Sequence, residues 1–365
     1  MRIVMTGASG NLGTALLGRL AGGAHEVVGV VRRVPPAQAP YDTATWVGLD
    51  LTAEDVATRL AAVFEGADTV VHLAWGFQPS HDPDYLERLG VGGTAAVLDA
   101  CVAAGVPHLV HMSSVGAYGR ATGPDRVDES WPTTGIASSM YSRHKAAAER
   151  LLDEHERVVG AGAGSGADSS ALTITRMRPG FVLQRDAGSG LLRYGVPPYV
   201  PARALGWLPV LPLDRSLLIP AVHADDVADA LVRVLERRAG GAFNLAADPP
   251  LSAQDMARAL GARLVQVPSR ALGALVELTW RARLQQLDRG WIDLAFSVPL
   301  LDTGRARDEL GWAPRVDARA ALAETVAGMR EAASTSSPVL RKRSPRDELV
   351  QVLRSLRTIG HRRLP

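Results

Sequence analysis

Apolar residues in the first half of the chain gather in short, nearly unbroken runs rather than in alternation: Ile3–Met5, Glu26–Val31, Thr45–Leu49, Asp68–Leu73 and His108–Met112. Runs of that length predict strands covered on both faces, which is the habit of parallel sheets. Between them lie segments with apolar residues at helical spacing: Thr14–Leu20, Thr52–Phe64, Asp84–Ala104 and Tyr141 to about Val158. Strand and helix take turns, so the predicted class is α/β, a doubly wound parallel sheet.

The junction of the first strand and first helix reads Thr6-Gly7-Ala8-Ser9-Gly10-Asn11-Leu12-Gly13. Glycines at this spacing, between a strand and a helix, predict a Rossmann-type dinucleotide turn. Gly7 suits the sharp turn, Gly10 the approach of backbone to a diphosphate, and Gly13 close packing of the helix on the sheet. The helix start offers unpaired N–H groups and a partial positive charge, so Asn11 and Leu12 join the glycines as candidate cofactor ligands. About twenty residues on, the second strand ends in Arg32-Arg33, where arginine accommodates a ribose 2′-phosphate. NADP(H) is therefore favoured over NAD(H), against the alternative of two solvated loop arginines. Asp50-Leu51 either meet the adenine edge or, for Asp50, cap the following helix. Leu73-Ala74-Trp75 close the fourth strand, where small residues leave space for a ligand; Trp75 borders nicotinamide or substrate, or is core.

Length (365 residues), 47% hydrophobic content and 21% charge fit one large α/β enzyme. No apolar run approaches the ~18 residues needed to span a bilayer, and a strand beginning at residue 2 leaves no room for a leader, so the expectation is a cytoplasmic protein. The single cysteine, Cys101, is expected as a buried structural thiol, and no His/Cys cluster has metal-ligand spacing.

Composition adds one clue: of 40 basic residues only Lys145 and Lys342 are lysine. Lys145 follows Tyr141 at i, i+4, on the same helix face. A phenol of pKa near 10 is a poor base at pH 7, and each unit of depression needs about 1.4 kcal/mol of phenolate stabilisation. A nearby ammonium supplies such stabilisation and keeps donors for ribose hydroxyls. The fifth strand runs into Ser113-Ser114-Val115-Gly116-Ala117-Tyr118-Gly119, with Ser114 available to hold an oxygen.

With these motifs in order, the chain resembles extended short-chain dehydrogenase/reductases of the NAD-dependent epimerase/dehydratase family, over roughly residues 1 to 330. The resemblance implies a diphosphate at Gly7, Gly10 and Gly13, substrate polarisation by Ser114, acid/base chemistry at Tyr141 and support from Lys145. It also implies that backbone at Pro179 and Gly180 lies near the carboxamide. Val222–Ala228 and Glu309–Pro314 match further family segments. Three departures bear on the reaction. Gly90 stands where the family carries an asparagine, Val115-Gly116 where dehydratases carry an acidic pair, and Ile219 where sugar-nucleotide epimerases carry an arginine, which Arg215 is placed to replace.

The expected division is a dinucleotide-binding domain at 1–180, with 223–247 returning to it, an interleaved substrate lobe at 181–330, and a linker with a basic amphipathic tail at 331–365. Leu191–Pro220 is rich in apolar residues, so a hydrophobic pocket with Phe181, Tyr199, Val115 and Trp75 as weak substrate candidates competes with a packed lobe. Trp280 and Trp291 are open between pocket and core. His223 with Asp225 and Asp226 is expected to start a helix, His72 and His111 to be core histidines, Asp128-Glu129 to be solvated, and Gly160–Ser170 to be a mobile insertion. The tail carries eight basic residues against Asp347 and Glu348, with Leu349, Leu353, Leu356 and Ile359 at helical spacing. It suits self-docking, a homodimer contact, an acidic partner or a membrane surface, and no nucleic-acid motif accompanies it. The function expected is an NADP(H)-dependent oxidoreductase acting between carbonyl and secondary alcohol on a small, rather apolar substrate. The alternatives are a sugar or sugar-nucleotide epimerase and a non-catalytic cofactor sensor or scaffold.

Overall fold

A computed structural model describes residues 1–76, 82–121, 123–162, 172–195, 208–282, 284–285, 287–342 and 344. Seven strands, β1 (Arg2–Thr6), β2 (Glu26–Val31), β3 (Thr45–Gly48), β4 (Thr69–His72), β5 (His108–Met112), β6 (Thr173–Pro179) and β7 (Gly241–Leu245), form one sheet in the order 7-6-5-4-1-2-3. Every neighbouring pair is parallel. Both faces are covered, which is why the strands read as continuous apolar runs. Ile3 and Met5 point to one side, among Leu16, Leu17, Leu231 and Phe243, while Val4 points to the other, among Leu60, Phe64, Val97 and Leu109. Each such fully buried aliphatic side chain contributes roughly 1.5–3 kcal/mol. Strand order reverses between β1 and β4, so the crevice beyond their carboxyl ends is where such a sheet takes its ligand.

Beside this sheet, the strand Leu218–His223 pairs antiparallel with Ala247–Ser252 and parallel with Phe181–Leu183, and Val210–Leu213 pairs with Arg263–Gln266. His223 caps the helix Ala224–Arg237, its Nδ1 accepting from the Asp225 N–H at 3.1 Å. Asp226 receives the Arg315 and Val316 N–H groups on its two carboxyl oxygens, at 3.0 and 3.1 Å. That histidine-and-acid segment thus does structural work, tying the Trp312 region to the sheet.

Several expectations are corrected. The helix expected from Thr52 begins at Val56, because Asp50 spends its carboxylate on the Thr52 N–H and hydroxyl in a tight turn. The helix expected over Asp84–Ala104 is Pro83–Glu87, a π-helical turn at Arg88–Gly92, then Gly93–Ala103. Glu129 is no solvated loop acid: it is half-buried and accepts the Asn244 N–H at 2.7 Å. The stretch read as a Ser/Thr/Pro linker is docked on the body, with Ser337 fully buried and Leu340 4% exposed. Tyr199, most of the Gly160–Ser170 insertion and the tail beyond residue 344 lie outside the described residues. Among the described residues no helix is long and apolar enough to cross a membrane, and no group of three or more His, Cys, Asp or Glu side chains could hold a metal.

Three histidines lie buried in the sheet. His72 shares hydrogen bonds with Thr6 Oγ1 at 2.7 Å and Thr94 Oγ1 at 3.2 Å, whereas neither ring nitrogen of His111 has a partner among the described residues. Burial lowers His72 to about 3 and His108 to about 4, and takes His111 well below its ordinary value. The unfolded chain therefore binds protons below pH 6.5 that the folded chain refuses. Stability should be complete above that pH and fall as the pH drops towards 4. Calorimetric melting from pH 7.5 to 4.5 checks this, and a flat melting temperature would count against it.

Candidate active site

The glycine turn shows how a diphosphate seat is made. Its carbonyl oxygens are occupied from behind: Gly7 O accepts the Gly10 N–H at 2.9 Å, Gly10 O accepts both the Thr14 N–H and its hydroxyl, Ser9 O accepts the Ser337 hydroxyl, and Asn11 O accepts Gln184 Nε2. The helix Asn11–Leu20 then begins with no side-chain cap and no acidic residue in its first turn. Its first amides lack the intrahelical partners that later turns provide, which is the condition for binding an anion. Gly7 adopts φ +71°, and a Cβ there would meet the Ala74 N at 2.6 Å, so only glycine lets the turn approach the end of β4. By these features the turn fits the diphosphate of a dinucleotide.

Around it, the other cofactor candidates divide. Arg32 follows β2 and donates to the Tyr85 hydroxyl at 2.8 Å on the surface, with Arg33 exposed beside it. Leu51 is buried in the sheet core and Asp50 is held in its turn. The Leu73 N–H continues the β1 ladder to Thr6 O at 3.0 Å, leaving Ala74 and Trp75 at the reversal point. At the end of β6 the Gly180 N–H donates to Leu245 O at 2.9 Å, and Gly180 backs onto the Pro220 backbone too closely for a side chain.

Ser114, Tyr141 and Lys145 come together. Ser114 lies two residues past β5, accepts the Gly116 N–H at 3.0 Å and hydrogen-bonds the Tyr141 hydroxyl. Gly116 makes the approach possible, since a Cβ there would stand 2.9 Å from Tyr141 Cε1. Tyr141 opens the helix Met140–Gly162, stacks on Trp291 at 5.4 Å and meets the Trp75 ring edge-on at 6.5 Å. Lys145, one turn on, donates to Met112 O at 2.8 Å, and its Nζ lies 3.4 Å from the centroid of the Trp75 ring.

The electrostatics differ from the expected acidified phenol. Burial pushes the Tyr141 phenol up to about 12, partly offset by the Ser114 hydrogen bond, and Lys145 is not among the groups that lower it. Burial also takes Lys145 well below its ordinary value, with Glu149 the charge that opposes this. In this state the ammonium is directed at a backbone carbonyl and an indole face, which provides a cation–π contact.

Sequence reasoning missed Glu149 and undervalued Trp75. Glu149, four residues past Lys145 and fully buried, accepts from the Ser113 hydroxyl at 2.6 Å and from Arg178 Nε and Nη2 at 2.8 and 2.9 Å, with Arg176 Nε 3.2 Å away. The repeat Tyr141, Lys145, Glu149 at successive helical turns was its available signal. Trp75 explains Gly90: a Cβ at Gly90 would lie 3.0 Å from the indole Cζ2, so the chain lacks a side chain where the indole packs.

Trp291, left open between pocket and core, lines a recess with Trp75, Leu86, Met140, Tyr141, His144 and Asp288 that leaves about 10 Å³ beside the phenol, about one water's worth. Asp288 also borders a wider groove of about 550 Å³ with Trp280, Arg281 and Arg289. Val115 is buried in the turn after Ser114, and Phe181 packs on the side-sheet cluster of Leu183 and Ala221, so neither lines this recess.

A family model for the NAD dependent epimerase/dehydratase family matches residues 3–246. The chain belongs to that family. An uncharacterized protein of Mycobacterium tuberculosis is 26% identical over 333 residues, which is 90% of this chain and 30% of that protein, so the chain spans less than a third of this relative. The 3-diazoavenalumate denitrifying reductase of a Streptomyces species is 29% identical over 328 residues, 86% of this chain and 96% of the reductase. The fold is also that of UDP-glucose-4-epimerase from Stenotrophomonas maltophila, solved with NAD and formylated UDP-arabinopyranose bound. There the TM-score is 0.66 at 23% identity, covering 91% of this chain and 98% of the epimerase.

Proposed function

We propose that this chain is an NADP(H)-dependent reductase of a small carbonyl compound, with Tyr141 delivering the proton and Ser114 holding the oxygen. The observation that carries it is the Ser114–Tyr141 hydrogen bond, made by a phenol that lines a recess together with Trp75 and Trp291. The cofactor, when bound, supplies the hydride to the carbonyl carbon. The protein's part is the other half of the addition. Ser114 donates to the carbonyl oxygen, and the Tyr141 Oη proton passes to that oxygen as it becomes a hydroxyl. A phenol held at about 12 is protonated at neutral pH and so stands in its proton-donating form. Lys145, whose ammonium faces Met112 O and the Trp75 ring in this structure, would stabilise the phenolate left behind once it is turned towards the phenol.

Gly7, Gly10, Asn11, Leu12 and Gly13 would hold the diphosphate, and Ala74, Trp75 and Pro179-Gly180 would flank the nicotinamide. Because Trp75 covers the Lys145 ammonium, its indole moves aside when a ribose hydroxyl takes a hydrogen bond from Nζ. The substrate's reacting end meets Trp75, Met140 and Trp291, two indoles and a thioether suited to a flat or apolar carbonyl compound, while the groove beyond Asp288 is lined largely by charged side chains. Ile219, partly buried in its strand, offers no cation to a sugar-nucleotide diphosphate, and Arg215 stands exposed in the preceding turn. This weighs for reduction over epimerisation. The 29% identical relative is itself named a reductase.

The cofactor preference rests on Arg32. Arg32→Ala should raise the KM for NADPH about tenfold or more and leave that for NADH within about twofold, as loss of a charge-assisted phosphate contact requires. Steady-state kinetics with both nucleotides and a panel of hydrophobic ketones test the whole assignment. Equal losses with the two nucleotides would remove the preference, and no turnover of any carbonyl compound by a cofactor-loaded protein would remove the reductase.

A further inference from the structure

We infer that Ala333–Leu340 is a clasp that holds the glycine turn in its anion-binding shape, which makes Ser337 and Thr335 positioning residues for the cofactor; this rests on the cofactor assignment above. The clasp reaches the turn from more than three hundred residues away in the chain. Two relays of hydrogen bonds run from its backbone to two successive carbonyls of the turn.

In the first relay the Val339 N–H donates to Ser337 Oγ at 3.1 Å, and the Ser337 hydroxyl donates to Ser9 O at 2.6 Å. The second is longer: the Ser337 N–H donates to Thr335 Oγ1 at 3.1 Å, Thr335 and Tyr41 hydroxyls are 2.7 Å apart, Tyr41 and Thr14 hydroxyls 3.0 Å, and Thr14 donates to Gly10 O at 2.8 Å. The direction of the second relay is forced. Thr14 commits its one proton to Gly10 O, so it accepts from Tyr41, and Tyr41 in turn accepts from Thr335. Every hydroxyl in both relays therefore gives its proton towards the turn.

Ser9 O and Gly10 O belong to the peptide groups that carry the Gly10 and Asn11 N–H at their other ends; the Gly10 N–H closes the turn on Gly7 O at 2.9 Å, and the Asn11 N–H stands at the uncapped start of the helix. A peptide group is planar, so fixing its oxygen fixes the direction of its N–H. A donor on the oxygen also polarises the group and strengthens the N–H as a donor, and chained hydroxyls reinforce one another. The clasp is itself secured: Ser337 and Tyr41 are fully buried, the Ser189 N–H donates to Ala333 O at 3.1 Å, and the Thr335 N–H to Leu340 O at 3.2 Å. Gln184 completes the arrangement on Asn11 from the neighbouring strand end. A segment that composition describes as linker is in this way part of the nucleotide seat.

The test uses the full chain with Ser337→Ala, Thr335→Val and the two combined. Dissociation constants for NADPH and NADH are read from energy transfer between tryptophan and the reduced nicotinamide, alongside melting temperature and steady-state constants. Each single change should weaken the nucleotide about fivefold and the pair about twentyfold or more, the range set by losing one or two buried hydrogen bonds. The cofactor KM should rise in step while kcat at saturating cofactor and the substrate KM stay within about twofold. Unchanged dissociation constants with a lowered melting temperature would make the clasp merely structural and overturn the inference. A wild-type chain that binds neither nucleotide would instead sink the cofactor assignment, and the clasp's role with it.

Discussion

Tyr141→Phe is expected to bind NADPH as the wild type does and to reduce its carbonyl substrate at least about a thousandfold more slowly, the scale of a lost general acid. The substitution removes one oxygen and leaves the ring stacked on Trp291 and edge-on to Trp75. The recess keeps its shape, so any loss reports the proton rather than the packing. Single-turnover oxidation of bound NADPH separates the two, because binding and the hydride step are then followed independently. A rate within about tenfold of wild type would mean that the proton reaches the product from elsewhere, and Tyr141 would lose its role. The rate should also hold level through the neutral range, since the phenol is protonated there, and fall only at alkaline pH.

A larger effect on the fold is expected at Glu149. Glu149→Gln keeps the size of the side chain but removes the negative charge that faces Arg178 in a two-pronged contact and Arg176 beside it. The buried Arg178 guanidinium would lose its carboxylate and keep only neutral partners, the new amide, the Tyr118 hydroxyl and Glu129 O, whereas Arg176 keeps Asp153 and Glu156. Breaking one side of such a buried arrangement costs about 3–5 kcal/mol, enough to erase much of a typical domain's stability. Urea unfolding measures it directly, and a midpoint unchanged from wild type would show that the arginines find other partners. Lys145 feels the same change: Glu149 is the group that opposes the burial-driven fall of the ammonium's pKa. A folded Glu149→Gln enzyme should therefore lose activity at a lower pH than the wild type does, as the ammonium deprotonates sooner.

What could be read from the amino-acid order follows from how local each signal is. β2 and β5 begin and end where expected, because a strand covered on both faces is mostly apolar along its length, even with His111 inside β5. Tyr141 and Lys145 were visible because one helical turn separates them. The helix before the fifth strand is less simple than its periodicity: Gly90, Gly92 and Gly93 permit a π-helical turn that periodicity does not register, and the reason for Gly90 lies past the end of β4, in Trp75. Asp50 looked like a helix cap but serves a turn that delays the helix by four residues. Glu129 and Ser337 escaped for one shared reason. Each is a polar residue in a loop-like stretch, and its partner, Asn244 or Ser9, sits more than a hundred residues away. Polar contacts of that span leave no periodic trace, unlike apolar burial, so composition alone assigns such residues to solvent.

Cys101, the chain's one cysteine, is fully buried in the helix Gly93–Ala103, and burial pushes its thiol far from the thiolate form that reagents attack. The wild-type protein is thus already a silent background for maleimide chemistry. A single Val339→Cys change, at a position 43% exposed and next to Ser337, would accept a dye without any native thiol being removed. Its emission would report in real time whether the chain's far end stays fastened to the nucleotide seat while NADPH comes and goes.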